Sequence, residues 1–347
     1  MISVIIPVYN AAKWLPQCLE SVLGQHHRNI EVILVNDAST DKSLVICKQY
    51  AAKDDRIIVI DKPANEGVEL ARQSGYAIAH GTYVIYVDAD DWFDHPLVLS
   101  RMYEIAEETQ ADYVSVGWQR VFDRHKWLKS KYEYPVQGLI EQPALGEMYR
   151  YFIVNSQMLE ILWGKLYRKS VIDRAAIRPF GMIYGEDALY NMQLFPHLNR
   201  VYFMSEVGYN YRYGGMTSRY NPRVFADLKR MYGYKKSIVE RFGYPYLDMM
   251  NIWLKNVLKS EICQRIEFSC DQRSDTIAYI REEMHRPLYD DLQTVSETSE
   301  FWNDPFVHAF FANDADGLYD ICRKLVHKEH PKRVLKRFLV NTLLRNL

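Results

Sequence analysis

Residues 83–94 read YVIYVDADDWFD and join an apolar run directly to a cluster of carboxylates. The run YVIYV predicts a buried β-strand over residues 83–87. Four aspartates follow within seven positions: Asp88, Asp90, Asp91 and Asp94. Like charges this close repel one another, and burying them is costly unless something compensates. Hard divalent cations bind carboxylate oxygens, so the stretch predicts a metal ion at the end of a buried strand.

Similar apolar runs alternate with amphipathic stretches through the first half of the chain. They predict strands over residues 3–7, 31–35, 57–60 and 112–116. Helices are predicted over residues 13–23 and 97–109. A further helix should run to residue 50, with its N-cap among residues 39–41. Another is predicted over residues 67–80, followed by Gly81 as the residue that ends it. Apolar strands separated by helices indicate an α/β fold, in which a mostly parallel sheet is covered by helices on both faces.

Polar residues stand at the end of each of four predicted strands. They are Tyr9-Asn10, Asn36-Asp37, Asp61-Lys62 and the aspartates from Asp88 onward. In sheets of this class, ligands bind at the carboxyl ends of the strands. We therefore expect these residues to form one binding edge.

The alternation fades beyond about residue 150, and the later sequence is typical of helices. Helices are predicted over residues 224–242, 246–269 and 273–284. We expect an α/β domain over residues 1–220 and a helical C-terminal region over residues 221–347.

The composition excludes several classes of protein. A formal net charge of −1 argues against a general nucleic-acid binder. Five scattered cysteines without a CxxC pair indicate free thiols rather than zinc or redox chemistry. No leader and no membrane-spanning run is evident, so we expect a cytoplasmic protein. Neither GxGxxG nor GxxxxGK[ST] is present, which argues against dinucleotide and P-loop binding.

Four ordered blocks carry a resemblance to a known family. They are SVIIPVYNAAKWLPQCLESVLGQ (residues 3–25), EVILVNDASTDKS (31–43), NEGVELARQSGYAIAHGTYVIYVDADDWF (65–93) and GEDALYN (185–191). These blocks resemble the inverting family 2 glycosyltransferases of the GT-A fold, of the kind that build bacterial polysaccharides and capsules. The similarity extends from residue 1 to about residue 220. It implies a Rossmann-like, mostly parallel sheet flanked by helices.

The resemblance also implies a nucleotide site. Pro7 and Tyr9 would line the base pocket, and Asp37 would accept a hydrogen bond from the uracil imide. Arg72 would lie near the nucleotide. Asp88-Ala89-Asp90 matches the DxD motif, in which Asp88 would reach the ribose or a metal-bound water and Asp90 would bind Mg²⁺ or Mn²⁺.

The catalytic and sugar-binding assignments come from later segments. Glu186 and Asp187 match the family's ED motif, and we assign the catalytic base to Asp187 with Glu186 as the alternative and orienting group. The segment Trp163–Tyr167 resembles the one that precedes the base in related polysaccharide enzymes. Trp163 could form a wall for the acceptor or donor sugar, and we assign Lys165 to the same pocket. Arg212, in a tyrosine–arginine segment, would contact the diphosphate.

Most of these residues also have purely structural interpretations. Asp37 could cap a helix, Arg72 could lie on a solvated helix face, and Trp163 could belong to the core. Asp91 and Asp94 could cap the helix that follows them. Glu186 and Asp187 could merely begin a helix over residues 188–194.

The C-terminal tail, residues 323–347, carries eight Lys or Arg and one acid. Its apolar residues recur at helical spacing, so a basic amphipathic helix on an anionic membrane surface is expected, with a helix packed on the protein as the alternative.

Together these features predict a metal-dependent inverting glycosyltransferase of cell-surface polysaccharide synthesis. Its donor would be a UDP-sugar, and its acceptor a hydroxyl of a glycan or lipid-linked saccharide. A nucleotidyltransferase and a catalytically inactive nucleotide-sugar-binding protein are the alternatives. A nucleotidyltransferase would need a glycine-rich loop after the first strand, which residues 9–13 lack. A phosphatase with a DxD nucleophile would carry its motif after the first strand rather than the fourth.

Overall fold

A computed structural model describes residues 1–122, 125–132, 134, 136–148, 161–182, 184–212, 222–242, 247–269, 271–297 and 299–328 of the chain. Two compact units are present, Met1–Met216 and Thr217–Leu347. The division falls close to the boundary after residue 220 that the sequence predicts. That boundary stays a prediction about where the catalytic domain ends.

The first unit is built on one mixed sheet, to which ten strands contribute among the described residues. They are β1 Ile2–Val8, β2 Ile30–Asn36, β3 Ile57–Asp61, β4 Tyr83–Tyr86, β5 Trp92–Phe93, β6 Tyr113–Phe122, β7 His125–Tyr132, β8 Gly138–Glu141, β9 Lys165–Arg168 and β10 Arg200–Arg212. The order is β3-β2-β1-β4-β9-β6-β10-β5, with β7 beside β6 and β8 beside β10. The predicted strands correspond to β1, β2, β3, β4 and β6 and are confirmed.

The parallel half of the sheet follows directly from the apolar runs. Strands β3, β2, β1 and β4 are mutually parallel, so their carboxyl ends lie at one edge. Every residue of β1, β2 and β4 is buried, as expected for strands covered on both faces.

Four helices alternate with these strands: α1 Leu15–Leu23, α2 Ser43–Ala51, α3 Val68–Ala77 and α4 Val98–Thr109. Helix α3 lies directly against the sheet at Gly75, where an added Cβ would stand 2.6 Å from Ile5 Cγ2.

Two of the predicted helix ends are wrong. Helix α3 ends at Ala77 rather than just before Gly81, so Gly81 does not terminate the helix. Its backbone N–H donates to Ser3 Oγ (2.8 Å) and Glu31 Oε1 (3.1 Å), so the chain passes too close to Ser3 for a side chain. Helix α2 begins at Ser43 after Lys42, with no side-chain cap on the preceding residue.

The antiparallel strands were not foreseen. Strand β9 lies between β4 and β6 and is antiparallel to both. Strand β5 pairs with β10 in the antiparallel sense, directly after the aspartate cluster. These strands have four and two residues, which is too short for an alternating pattern to be recognised. Helices α5 Lys169–Ala175 and α6 Glu186–Leu194 complete this part of the unit.

The second unit is helical where the structure describes it. Its helices are α7 Pro222–Phe242, α8 Leu247–Phe268, α9 Arg273–Met284 and α10 Pro305–Phe311. The first three confirm the predicted helices. A buried ion network joins them, since Lys229 Nζ lies 2.6 Å from both Glu261 and Glu283.

Residues 315–328 are helical and contain the start of the predicted basic tail, but residues 329–347 lie outside the described residues. Among the residues that are described, no helix is both long and apolar enough to cross a membrane.

Candidate active site

The polar residues at the ends of the parallel strands converge, as the sequence predicts. Asn36 Nδ2 donates to Asp61 Oδ1 (2.8 Å), which ties the end of β2 to the end of β3. Asn10 Oδ1 accepts from the Thr40 backbone N–H (2.8 Å), which ties the loop after β1 to the loop after β2. Neighbouring loops therefore hold one another at this edge of the sheet.

Asp37 is buried at this edge and fixes the turn that begins α3. Its two carboxylate oxygens accept the backbone N–H groups of Glu66 (3.0 Å) and Gly67 (2.9 Å). The cap of α2, which was the structural interpretation of Asp37, is not formed. Lys62, only 8% exposed, lies 3.6 Å from Asp37 and 2.5 Å from Glu66. Sequence reasoning placed Lys62 at a strand end but did not select it as a site residue.

The other two residues that the resemblance assigns to a base pocket differ in exposure. Pro7 is buried within β1, whereas Tyr9, two residues later, is 52% exposed. About half of the Tyr9 side chain is therefore accessible from solvent.

Arg72 connects the strand-end aspartates to α6. Only 5% exposed, it donates through Nη2 to Asp88 Oδ1 (2.9 Å) and through Nη1 to Asp187 Oδ1 (2.5 Å). Glu186 lies 3.8 Å from the same Nη1. The solvated-face interpretation of Arg72 is therefore wrong. Burial by itself lowers the pKa of Arg72, but the charges of Asp187, Asp88 and Glu186 outweigh it and raise that pKa overall.

The carboxylates around Arg72 lie too close together and too deeply buried for one guanidinium to stabilise all of their charged forms. Burial, with further repulsion from Asp187 and Asp90, raises the pKa of Asp88 to about 6 despite Arg72. Burial and the neighbouring Asp187 raise the pKa of Glu186 to about 8. Burial also raises the pKa of Asp90. A bound cation would relieve this repulsion.

Asp187 makes contacts that a residue merely beginning a helix would not make. Its Oδ1 accepts from Arg72, and its Oδ2 accepts from the Leu162 backbone N–H (3.1 Å). Helix α6 does begin at Glu186, after Gly185 with φ of 85°. The Asp187 carboxylate nevertheless contacts two segments that are distant in sequence, which favours a role in the site.

Asp91 and Asp94 do not cap the following helix, so that interpretation is wrong. Asp91 Oδ1 accepts the backbone N–H of Arg212 (2.8 Å). Asp94 Oδ1 accepts from the side-chain amides of Gln119 (2.9 Å) and Asn210 (3.1 Å). Both carboxylates thus fasten the aspartate loop to the far part of the sheet.

Arg212 holds the same loop through its side chain. Its Nε donates to the backbone carbonyl of Asp90 (2.7 Å), and its Nη2 donates to Gln17 Oε1 (2.7 Å). The guanidinium lies between the rings of Trp14 and Trp92, 4.2 and 4.6 Å from their centroids. Stacking and hydrogen bonds together fix the backbone that presents Asp90.

Trp163 and Lys165 are both buried. Trp163 stacks on Tyr209 and Tyr211, with ring centroids 4.7 and 5.3 Å away. The Tyr209 hydroxyl in turn accepts the backbone N–H of Asp88 (3.1 Å). Lys165 is completely buried and donates to the Ile161 carbonyl (2.5 Å). Their assignment to a sugar pocket stays a prediction, and sequence reasoning missed the support that Tyr209 gives Asp88.

The aspartate cluster fits a metal ion that the substrate helps to bind. Among the described residues, no group of three His, Cys, Asp or Glu side chains could hold a metal by itself. Asp90, with Asp88 beside it, would thus offer one or two carboxylates to a cation. Mg²⁺ is commonly held in this way, because substrate phosphates and waters complete its coordination.

Comparisons with known proteins identify relatives of this chain among the glycosyltransferases. Residues 3–175 match the family model described as glycosyl transferase family 2. The chain is 29% identical over 315 residues to glycosyltransferase GlyA of Streptococcus pneumoniae serotype 4, covering 86% of this chain and 42% of GlyA. It therefore spans less than half the length of that relative.

A second relative is matched over most of its length. The chain is 30% identical over 248 residues to the uncharacterized glycosyltransferase EpsJ of Bacillus subtilis, covering 70% of this chain and 71% of EpsJ. Among solved structures, S. aureus TarS 1–349 in complex with UDP-GlcNAc superposes with a TM-score of 0.63 at 19% identity. That match covers 93% of this chain and 91% of the TarS chain, and it supports the fold.

Glu186→Gln should raise the melting temperature of the protein in EDTA at pH 8 and change it little at pH 5. Folding raises the pKa of Glu186 from 4.5 to about 8, chiefly through burial, and so favours the protonated form. The stability from this group is complete below pH 4.5 and is lost as the pH rises through about 8. Glutamine stays neutral and avoids that loss. Melting curves at the two pH values measure the difference.

Asp54→Asn is a control of opposite sign. Hydrogen bonds from Arg56 lower the pKa of Asp54 below 3.8, so its contribution is present at neutral pH and is lost as the pH falls. Asparagine should therefore lower the melting temperature at pH 8. A Glu186→Gln protein that melts below wild type at pH 8 would contradict this account of the site.

Proposed function

The chain belongs to glycosyl transferase family 2, and on that premise we propose that it is a metal-dependent inverting hexosyltransferase of cell-surface polysaccharide synthesis. It would move a sugar from a UDP-sugar to a hydroxyl of a glycan or lipid-linked saccharide. The observation that carries the proposal is the pairing of Arg72 with both Asp88 and Asp187. One side chain thereby joins the DxD motif to the ED motif.

The uracil assignment rests on Asp37 and the loops around it. Both Asp37 oxygens already accept a backbone N–H, which fixes their position. Each carboxylate oxygen has a further lone pair, so one of them can accept the imide N–H of uracil. Tyr9 would supply a partly exposed ring to the base, and the buried Pro7 would form the bottom of the base pocket. The related fold of TarS holds UDP-GlcNAc, which is consistent with a uridine donor.

The diphosphate would lie against the aspartate loop. Asp90 would bind Mn²⁺ or Mg²⁺, with Ala89 and Asp88 beside it, and the bound cation would stabilise charge on the leaving diphosphate. Arg212 holds the Asp90 backbone in place and brings a positive charge to the same loop. Arg72 limits the repulsion among the carboxylates while the site is empty of cation.

Transfer requires removal of a proton from the acceptor hydroxyl. In the proposed reaction the acceptor oxygen attacks C1 of the sugar, the bond from C1 to the diphosphate oxygen breaks on the opposite face, and UDP leaves. The hydroxyl proton passes to Asp187, which Arg72 and Leu162 hold in a fixed orientation. Glu186 would orient the same hydroxyl. Trp163 and Lys165 would support the sugar pocket from beneath, since both are buried.

UDP with Mg²⁺ should raise the melting temperature more than ADP or GDP with Mg²⁺. Adenine has no ring N–H to donate to Asp37, and guanine, a larger bicyclic base, presents its N1–H at a different position from that of the uracil imide. A ligand that binds the native state alone stabilises it. Since two carboxylates alone bind metal weakly, Mg²⁺ without UDP should give little shift, and EDTA should remove most of the gain from UDP. Equal shifts with the three nucleotides would reject the uracil assignment.

Variants of the aspartate loop sharpen this measurement. Asp90→Asn should abolish the effect of EDTA. Asp94→Asn is its matched control, because Asp94 binds Gln119 and Asn210 rather than facing a ligand. If Asp94→Asn removes the metal effect and Asp90→Asn does not, the metal assignment is wrong.

Asp187→Asn should lower the turnover of UDP-sugar by about 10²–10⁴-fold, because the amide cannot accept the hydroxyl proton. UDP affinity should change little, whereas Asp90→Asn should weaken both. Turnover by release of UDP and affinity by calorimetry give the two readouts. A larger loss in Glu186→Gln than in Asp187→Asn would assign the base to Glu186. UDP binding without any turnover by the wild type would favour the inactive binding protein.

We further propose that the basic tail, residues 323–347, holds the protein at the inner face of the membrane. Deleting residues 323–347 should weaken sedimentation of the protein with anionic liposomes and leave UDP binding unchanged, because Lys and Arg attract anionic headgroups. The interaction should weaken with salt. A full-length protein that stays in the supernatant at low salt would rule out this membrane contact.

A further inference from the structure

A cavity of about 330 Å³ opens within the first unit, between α3, α5, α6 and the segment that joins the last two. Its lining includes Arg72, Gln73, Tyr76, Arg178, Glu186 and Tyr190. This volume lies within the range of roughly 300–1,000 Å³ found for small-molecule sites. None of the proposed uracil or metal residues contributes to the wall.

We propose that this cavity receives the terminal sugar ring of the acceptor, an inference that rests on the proposed function. The argument begins from the place where the cavity meets the charged cluster. Arg72 and Glu186 form that part of the wall, while Asp37, Asp88 and Asp90 do not line it. A molecule in the cavity thus approaches the carboxylates from a direction other than the nucleotide edge.

The lining suits a saccharide. Two aromatic side chains, Tyr76 and Tyr190, provide surfaces against which the C–H face of a pyranose ring can pack, and the buried ring of Tyr86 packs edge-on against Tyr190. Polar groups stand among them. The Gln73 amide and the Arg178 guanidinium have no hydrogen-bond partner among the described residues, so both are available to sugar hydroxyls. A few polar groups in a largely apolar wall are typical of ligand sites.

The aromatic wall is held in place by its own hydrogen bonds. The Tyr86 and Tyr190 hydroxyls lie 3.2 Å apart, and the Tyr76 hydroxyl donates to Asp173 (2.6 Å). Because these rings are positioned before any ligand arrives, less conformational freedom is lost on binding.

The segment that carries Arg178 is fixed in a similar way. Glu69 accepts the backbone N–H groups of Phe180 (3.1 Å) and Met182 (3.0 Å). The Gln193 side chain binds both the backbone N–H and the carbonyl of Arg178, each at 3.0 Å. Helices α3 and α6 therefore anchor this wall, and the Arg178 guanidinium remains at its rim.

The position of Glu186 follows from the same geometry. Asp187 is held by Arg72 and Leu162, whereas Glu186 lines the cavity itself. A ring in the cavity would present a hydroxyl to Glu186 beside Asp187. Glu186 is then the group that orients the reacting hydroxyl, and Asp187 the group that takes its proton.

Filling the cavity tests the proposal. Ala77 lines it at the end of α3, so Ala77→Trp should block the ring. Ser170, an exposed residue of α5 outside the lining, provides the matched control Ser170→Trp. Arg178→Ala removes a polar group without adding volume. The probes are methyl glycosides of glucose, galactose, N-acetylglucosamine and N-acetylgalactosamine, observed by saturation-transfer NMR with saturating UDP and Mg²⁺.

At least one glycoside should bind wild type and Ser170→Trp, with at least about tenfold weaker binding to Ala77→Trp, equivalent to ~1.4 kcal/mol. Arg178→Ala should weaken the same glycoside severalfold. UDP affinity, measured separately by calorimetry, should stay within about twofold of wild type in all three variants. If Ala77→Trp does not fold by circular dichroism, Arg178→Ala decides the question.

Three results would overturn the proposal: no glycoside binding to wild type, unchanged glycoside binding in the cavity variants, or loss of UDP affinity in Ala77→Trp. The last would assign the cavity to the donor. Failure of wild type to bind UDP at all would reject the proposed function instead, and that measurement is independent of the glycosides.

Discussion

Arg72 places a positive charge where water hardly reaches, and the organisation of the site depends on its three acidic neighbours. Removing a charge from water costs several kcal/mol even after the protein relaxes, so a buried guanidinium is stable only with well-placed partners. Asp88 and Asp187 accept its hydrogen bonds, and Glu186 stands nearby. Leaving such a group unpaired typically costs ~3–5 kcal/mol, which couples the position of α3 to the aspartate loop and to α6.

The charged forms of the carboxylates are in turn stabilised by Arg72. Glu186, Asp88 and Asp90 have raised pKa values because burial disfavours their charged forms. In the absence of a ligand these carboxylates are therefore held partly in their protonated forms, and a cation that arrives with a diphosphate would stabilise the charged forms. We therefore expect the site to bind metal and nucleotide together better than either one alone.

Around this cluster, the loops are held by contacts that leave the ligand-facing groups in fixed positions. Asp37 fixes the turn before α3, and Arg212, between two tryptophan rings, fixes the backbone of Asp90. Tyr209 holds the backbone of Asp88 from below while stacking on Trp163. Preorganisation of this sort matters for transfer enzymes, because groups already in place need not be ordered during the reaction.

The sequence alone was sufficient for the parallel strands, their helices and the polar residues at their ends. These features depend on apolar periodicity and on residue types at strand ends, which are local properties of the chain. Local patterns could not show that Arg72 is buried, because its partner Asp187 lies 115 residues away. Nor could they show that β9 inserts between β4 and β6, or that Asp91 and Asp94 bind β10 and β6 residues instead of capping a helix. The identity of a side chain limits the partners it can accept, but only the packed tertiary structure decides which partner lies within hydrogen-bonding distance.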